Sequence, residues 1–332
     1  MNSDPHVLWL AECRGDHAPL VGGKAAGLGA LLEEGLQVPD GFAITTAAYC
    51  EHVEHNGLAA DLKRLLADCA TFEAQQRASD EIRAMFEASQ TTPALEEAVL
   101  AAHATLCADP STAVAVRSSA TGEDSRTASF AGQQDTYLWI LGGDEVVRHV
   151  VRCWSSLFTP QAIAYRAQMR TPVDDLAMGV VVQQMVPAEA AGVMLTIDPI
   201  SGDPSTIVIE AAFGLGAAVV NGEVDPDRFC IDKGGLGIRS RAIGVKRLAY
   251  RFDPAVQGTR REDVSRHLQG QPCVTDDEVM ELASLGRRME QARGRTQDIE
   301  WAIGPGVNGQ RQVFLLQARP ETVWSQRTAP GV

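Results

Sequence analysis

The sequence predicts a mixed α+β fold in at least two lobes, and three observations carry that expectation. At 332 residues the chain can fill two or three packed subdomains, each with its own core. Apolar residues recur at helical spacing from about Ala59 to Cys107, whereas residues 178–233 are rich in short strand-like runs. Runs of both kinds are mixed along the chain, with no repeats, no low-complexity tract and no long linker.

Taken in order, residues 7–46 read as a strand, a glycine-rich loop, a short helix and a second strand, GFAITT. Three apolar stripes follow: Leu62, Leu65 and Leu66, then Ile82, Met85 and Phe86, then Leu95, Val99 and Leu100. Spacings of three and four residues put each set on one helix face, so these are core contacts. AVAVRSSATGEDSRTASFAGQQDTYLWI (113–140) is a strand, a long polar loop and a strand, and residues 144–169 are helical again. MGVVVQQMV (178–186) is apolar enough for a buried strand, and GVMLTIDP, STIVIEAAFG and RFCIDK extend the β-rich region to about 233. Asp276 to Gly294 reads as a helix with Thr275 as its cap. A strand pair and a tail of polar and small residues close the chain.

That strand pair, DIEWAIGPGVNGQRQVFLLQAR (298–319), turns at Asn308-Gly309, the dipeptide that favours two-residue hairpins. A two-residue turn there sets Glu300 opposite Gln317 and Asp298 opposite Arg319, all four on one face. The other face would carry Ile299, Trp301, Ile303, Phe314, Leu316 and Ala318. Two readings fit the polar face. It is either a half-exposed surface with ion pairs, or hard oxygen ligands for Mg²⁺ beside an arginine that grips phosphate.

Three glycine-rich segments invite a phosphate reading. In VGGKAAGLGALLEEG (21–35), Lys24 stands just before a helix ending near Gly35, where backbone amides and a cation suit phosphate. Ala25 follows Lys24, so this is no Walker A loop, and a plain strand-helix turn with an exposed lysine fits equally. AVRSSATGEDSRTASFAG (115–132) delivers Arg117 from a buried strand into a loop whose small residues let amides approach a polyphosphate. The alternative is a surface loop in which Arg117 pairs with Glu123 or Asp124. FGLGAAVVNGE (213–223) has Val219 where a dinucleotide fingerprint wants Gly or Ala, which argues against that fold.

Composition excludes several classes. The net charge is −14, and no basic patch suited to nucleic acid is visible. No run approaches a membrane span, and there is no charged-then-apolar leader, so a cytoplasmic protein is expected. Seven scattered cysteines without a Cys-x-x-Cys pair suggest a reducing compartment and no zinc site. None of the seven histidines has a catalytic setting, His52 and His55 included, and no G-x-S-x-G elbow occurs.

Six blocks then occur in order: VGGKAAGLG, VPDGFAIT, AVRSSATGEDS–ASFAGQQDTYL, VVVQQMV–AGVMLTIDP, IEAAFGLGAAVVNGEVDPDRF and IEWAI–LLQARPETV. Together they resemble the N-terminal nucleotide-binding domain of the phosphoenolpyruvate synthase, pyruvate phosphate dikinase and rifampicin phosphotransferase family, over nearly the whole chain. The resemblance implies a two-lobed ATP-grasp fold with ATP between the lobes. Residues 1–182 would form the N-terminal lobe, with a helical insert at about 58–107 and a phosphate loop at 118–132. Residues 183–325 would form the C-terminal lobe and 326–332 a tail. It further implies that Lys24 and Arg117 bind phosphate, that Gly132 and Thr136 lie near the nucleotide, and that Gln183, Gln184, Met185 and Val186 form the adenine hinge. Glu300 and Gln317 would bind Mg²⁺, Arg319 would be catalytic, and Asp298 is added on geometry alone.

Relatives in this family also carry a swivelling domain with a phosphorylated histidine and an acceptor-binding domain, and neither is expected in these residues. The length is similar to that of one subunit of phenylphosphate synthase, whose parts lie on separate chains. The implied activity is transfer of the β-phosphoryl group of Mg-ATP, as pyrophosphoryl, to a histidine elsewhere, with AMP released. A small acceptor (pyruvate, a phenol or an antibiotic) would then be phosphorylated. The alternative is a nucleotide-sensing subunit without turnover.

Overall fold

A computed structural model describes residues 5–121, 135–169, 172, 176–253, 255–256, 258–306 and 308–324. The chain forms two compact units, Met1–Glu34 with Asp40–Met185, and Gly35–Pro39 with Val186–Val332. Each combines helices with an antiparallel sheet.

The first unit holds strands β1 (Val7–Trp9), β2 (Gly41–Ile44), β3 (Val114–Ala120), β4 (Thr136–Ile140) and β5 (Met178–Gln184). They form a five-stranded sheet in the order β1-β2-β5-β3-β4. Its helices are α1 (Ala18–Glu33), α2 (Thr46–His55), α3 (Ala59–Leu66), α4 (Phe72–Ala88), α5 (Pro93–Leu106), α6 (Gly143–Ser155) and α7 (Pro160–Met169). Strand periodicity sorts the sheet's two faces. Phe42, Ile44, Val114, Val116, Val180 and Val182 join one core with Ile82, Phe86, Leu95, Val99, Val150 and Trp154 of the helical layer. Ala43, Ala115 and Val181 are buried on the other face, where α1 packs on β3 and β5. The expected apolar stripes are thus the inner faces of α3, α4 and α5.

The second unit holds β6 (Ala190–Leu195), β7 (Thr206–Phe213), β8 (Asp227–Asp232), β9 (Gly237–Ala242), β10 (Leu248–Asp253), β11 (Gly258–Asp263), β12 (Gln297–Pro305) and β13 (Arg311–Pro320). Six of these make a sheet ordered β13-β12-β6-β7-β8-β9, while β10 and β11 pair as a separate ribbon. Its helices are α8 (Ala217–Val220), α9 (Arg266–Gln269) and α10 (Asp276–Arg293). Helix α10 buries Val279, Leu282, Ala283, Gly286 and Met289 and packs on β6, β7 and β12. As expected, Thr275 caps it: its side chain accepts from Glu278 N at 3.2 Å, and the Glu278 carboxylate accepts from Thr275 N at 2.7 Å.

Strands β9 to β11 were not foreseen. GIRSRA and GTRRED are largely exposed and lack apolar alternation, so only pairing with their neighbours makes them strands. Residues Gly35–Pro39 cluster with the second unit rather than with the N-terminal lobe assigned from sequence. The reason is an edge: β13 ends the sheet, and Leu315 N donates to Gln37 O at 2.8 Å, so this short segment covers it.

Segment 213–220 is not a dinucleotide loop. Gly214 takes φ 73, a Cβ there would overlap the Tyr250 carbonyl of β10, and helix α8 is only four residues long. A buried Lys246–Asp227 ion pair secures the same region. Lys246 also donates to Gly244 O at 2.9 Å, and Asp227 accepts from Cys273 N at 2.9 Å and Gly244 N at 3.1 Å. With that many partners the two charges are satisfied away from water.

Candidate functional site

In the first unit, four of the expected nucleotide residues share the α1 face of the sheet. Arg117 on β3 stands directly opposite Thr136 on β4, and Ala115, two residues away, stands opposite Gln183 on β5. Directly opposed residues share a face, so Arg117, Thr136 and Gln183 do as well. Lys24 reaches this face from α1, its Nζ donating to Ser118 O at 2.9 Å.

The glycines explain how α1 gets there. The helical run Ala18–Glu33 is broken at Gly22, whose φ 80 and ψ 168 are conformations essentially reserved for glycine. A Cβ at Gly22 would overlap the Ser119 carbonyl. Ala25 N then donates to Ser119 Oγ at 3.2 Å. Lys24 therefore lies in the first turn after the break, docked on the end of β3.

The hinge residues divide. Gln184 turns to the opposite face, where its Nε2 donates to Leu106 O of α5 at 2.8 Å, so its side chain belongs to the helical layer. Its backbone N donates to Asp40 O at 2.8 Å and that of Met185 to Ala113 O at 2.9 Å. Gly132 and most of the 118–132 loop fall outside the described residues.

In the second unit, the paired strands β12 and β13 present the expected polar face. Asp298 stands opposite Arg319 and Glu300 opposite Gln317. Arg319 donates from Nε and Nη2 to Asp298 Oδ2 at 2.9 and 2.8 Å, so Asp298 fixes the guanidinium in place.

The register arises differently from the expected turn. Pro305 pairs with Arg311, so the connection is the five residues 306–310, closed by Gly306 N to Gln310 O at 2.8 Å. A bulge between Glu300 and Trp301 adds Leu316 to the opposite strand and restores the Glu300–Gln317 register. The loop and the bulge cancel. Turn-side of the bulge they do not: Trp301 pairs with Leu315 and Ile303 with Val313, and these are the buried partners. Phe314 and Leu316, expected beside Ile299, Trp301 and Ile303, instead pack with Val186, Ala188, Ala191 and Ala302. Ala302 lies two residues from Glu300 on its strand, hence on the same face. That face therefore runs from Arg319 and Asp298 through Glu300 and Gln317 to an apolar end. Sequence reasoning missed the apolar end, because a bulge has no signature in the alternation of β13.

Farther along the same sheet row, Val193 pairs with Glu300 and with Glu210, and Glu210 pairs with Arg228. Arg228 donates to Glu210 Oε1 at 3.1 Å and to Asp198 Oδ1 at 3.5 Å. Hydrogen bonds, chiefly from Ile200 N, hold the Asp198 carboxyl below the usual carboxylate range.

Residues 18–331 match the family described as the pyruvate phosphate dikinase AMP/ATP-binding domain. The chain belongs to this family. It is 40% identical to phosphoenolpyruvate synthase of Aeropyrum pernix over 97% of this chain and 43% of that protein. A probable phosphoenolpyruvate synthase of Methanocaldococcus jannaschii is 40% identical over 95% of this chain and 26% of its own length. A rifampicin phosphotransferase of a Streptomyces species is 43% identical over 91% of this chain and 34% of its own. The chain thus spans less than half the length of these curated relatives. D-alanyl-alanine synthetase A from Vibrio cholerae aligns with 74% of this chain and 55% of its own at 10% identity, but a TM-score of 0.28 carries no argument.

For a member of this dikinase ATP-binding family, the residues present fit a magnesium nucleotide. Glu300 and Gln317 offer adjacent hard oxygens, the donor type Mg²⁺ takes when phosphates and water complete its shell. No group of three or more His, Cys, Asp or Glu residues able to hold a metal occurs among the described residues, so a cation here would depend on such shared ligation. No helix among the described residues is long and apolar enough to cross a membrane.

Proposed function

We propose that this chain is the ATP-grasp portion of a dikinase-type phosphotransferase and takes Mg-ATP. The observation that carries this reading is the polar face of β12 and β13, where Asp298–Arg319 and Glu300–Gln317 stand side by side in a dikinase ATP-binding sequence. Lys24, Arg117 and Thr136 would take phosphate oxygens. Gln183, the backbone of Gln184 and Met185, and Val186 would take the adenine. Glu300 and Gln317 would hold Mg²⁺, which when bound neutralises charge on the phosphates. Arg319, oriented by Asp298, would meet the charge that grows as the phosphoanhydride breaks.

In the reaction proposed, a histidine nitrogen on a partner domain or chain bonds to the β-phosphorus. The bond from that phosphorus to the α–β bridging oxygen breaks, and AMP leaves with the oxygen. In a second step water bonds to the γ-phosphorus, the bond from that phosphorus to the β–γ bridging oxygen breaks, and inorganic phosphate leaves. The phosphohistidine that remains serves a small acceptor bound elsewhere. The chain's own work is positioning and charge neutralisation. Removing one such charge commonly costs about two to three powers of ten in rate. With the partner histidine domain supplied, Arg319→Ala is expected to lose AMP formation by about that factor while retaining most of its affinity for Mg-ATP. Unimpaired AMP release by this variant overturns the assignment.

A further inference from the structure

The pair Arg117–Thr136 stands beside an irregular stretch of ladder. On one side the β3–β4 register shifts between Val114 and Val116, and Trp139 takes a left-handed φ of 62. On the other side, among the described residues, Ser118 N donates to Asp135 O at a long 3.3 Å. Among the described residues two directly opposed pairs stand in between, Val116–Tyr137 and Arg117–Thr136. A ladder interrupted by that shift specifies register weakly by itself, and a slip of one residue would send Thr136 to the opposite face.

Side chains supply what the ladder lacks. Asp135 Oδ2 accepts from Arg83 Nη2 at 3.0 Å and from the Tyr137 hydroxyl at 2.9 Å. Arg83 belongs to α4. Tyr137 meets His149 of α6 edge-on, ring centroids 4.8 Å apart, and His149 Nδ1 donates to Glu145 O at 2.7 Å. Burial, then the Asp135 charge, raises the Tyr137 hydroxyl well above its ordinary range, so it stays a donor. Two helices on the far face of the sheet thus hold the residue that immediately precedes Thr136.

We propose that Arg83 and Tyr137, acting through Asp135, are positioning residues that fix Thr136 opposite Arg117 for phosphate binding. The helical insert, which holds none of the expected nucleotide residues in its own sequence, would then tune affinity for the triphosphate. This rests on the nucleotide reading given above.

The test is calorimetric titration of the whole chain with Mg-ATP and, separately, with adenosine. Arg83→Met keeps the aliphatic stem and removes the donor. It is expected to weaken Mg-ATP binding about tenfold or more, the scale on which loss of a supporting shell is felt, and to leave adenosine binding unchanged. Arg83→Lys should recover much of the loss, and Tyr137→Phe should show a smaller defect of the same selectivity. If Arg83→Met does not fold, the Tyr137→Phe measurement decides. Equal weakening for Mg-ATP and adenosine means a merely structural role and overturns the proposal, as does wild-type Mg-ATP affinity in both variants. If the unaltered chain fails to bind Mg-ATP, the nucleotide reading itself falls and this proposal with it. Normal binding by all variants sinks the positioning role alone.

Discussion

His52 lies at the end of α2 with its ring centroid 5.0 Å from that of Trp154 and 5.9 Å from that of Phe86. Ser89 Oγ donates to Phe86 O, so His52 Nε2 must carry the proton it shares with Ser89 at 2.8 Å. Nδ1 is buried and has no hydrogen-bond partner among the described residues. A second proton would put charge there without an acceptor, and burial, followed by the nearby His55, lowers the pKa to about 4. The unfolded chain titrates near the ordinary 6.5 and so binds protons where the folded chain does not. Stability is therefore fully present above about pH 6.5 and falls as pH drops towards 4. At about 1.4 kcal/mol per pKa unit the loss approaches about 3 kcal/mol. Denaturant unfolding at pH 7 and pH 4.5 should show this loss in the wild type and much less of it in His52→Gln. An identical pH slope in the two proteins removes His52 from the account. None of this was visible in the sequence, where His52 and His55 were only two histidines three residues apart.

At the scale of elements, what the sequence predicted well was whatever local chemistry decides. The stripes of α3 to α5, the Thr275 cap and the strand character of residues 178–186 follow from spacing and side-chain type alone. The break in α1 is different, because it answers to a neighbour distant in sequence. Gly22 must adopt a glycine-only conformation and must leave room for the Ser119 carbonyl. Gly22→Ala is accordingly expected to cost about 1–3 kcal/mol from backbone strain alone, more with the overlap, and to weaken Mg-ATP binding by displacing Lys24. Chemical denaturation read beside nucleotide titration checks both effects. A variant as stable as the wild type would show that α1 can dock without the break. The same distinction governs β12 and β13. The pairing of Glu300 with Gln317 was legible, but as the sum of a five-residue loop and a bulge rather than of a two-residue turn. Cross-strand contacts, not alternation, moved Phe314 and Leu316 off the core face.

At the scale of the molecule, the chain spans less than half the length of the relatives it resembles, and the reaction proposed above draws its histidine carrier from a partner domain or chain. Incubation of the chain with Mg-ATP alone should yield binding without AMP, and adding a family histidine domain should start AMP release. AMP or ADP formed by the chain alone would contradict that division of labour. The ordered motifs by themselves determined the family, the mixed α+β class and the polar residues proposed for the site, because charge, hydrogen-bonding groups and hydrophobic period are properties of the residues. The tertiary structure alone decided that Gln184 serves the helical layer, that Asp135 is tied to Arg83, and that an apolar end lies beside Glu300 and Gln317. Those facts depend on which distant backbone supplies a partner at hydrogen-bond distance, and no local pattern encodes that.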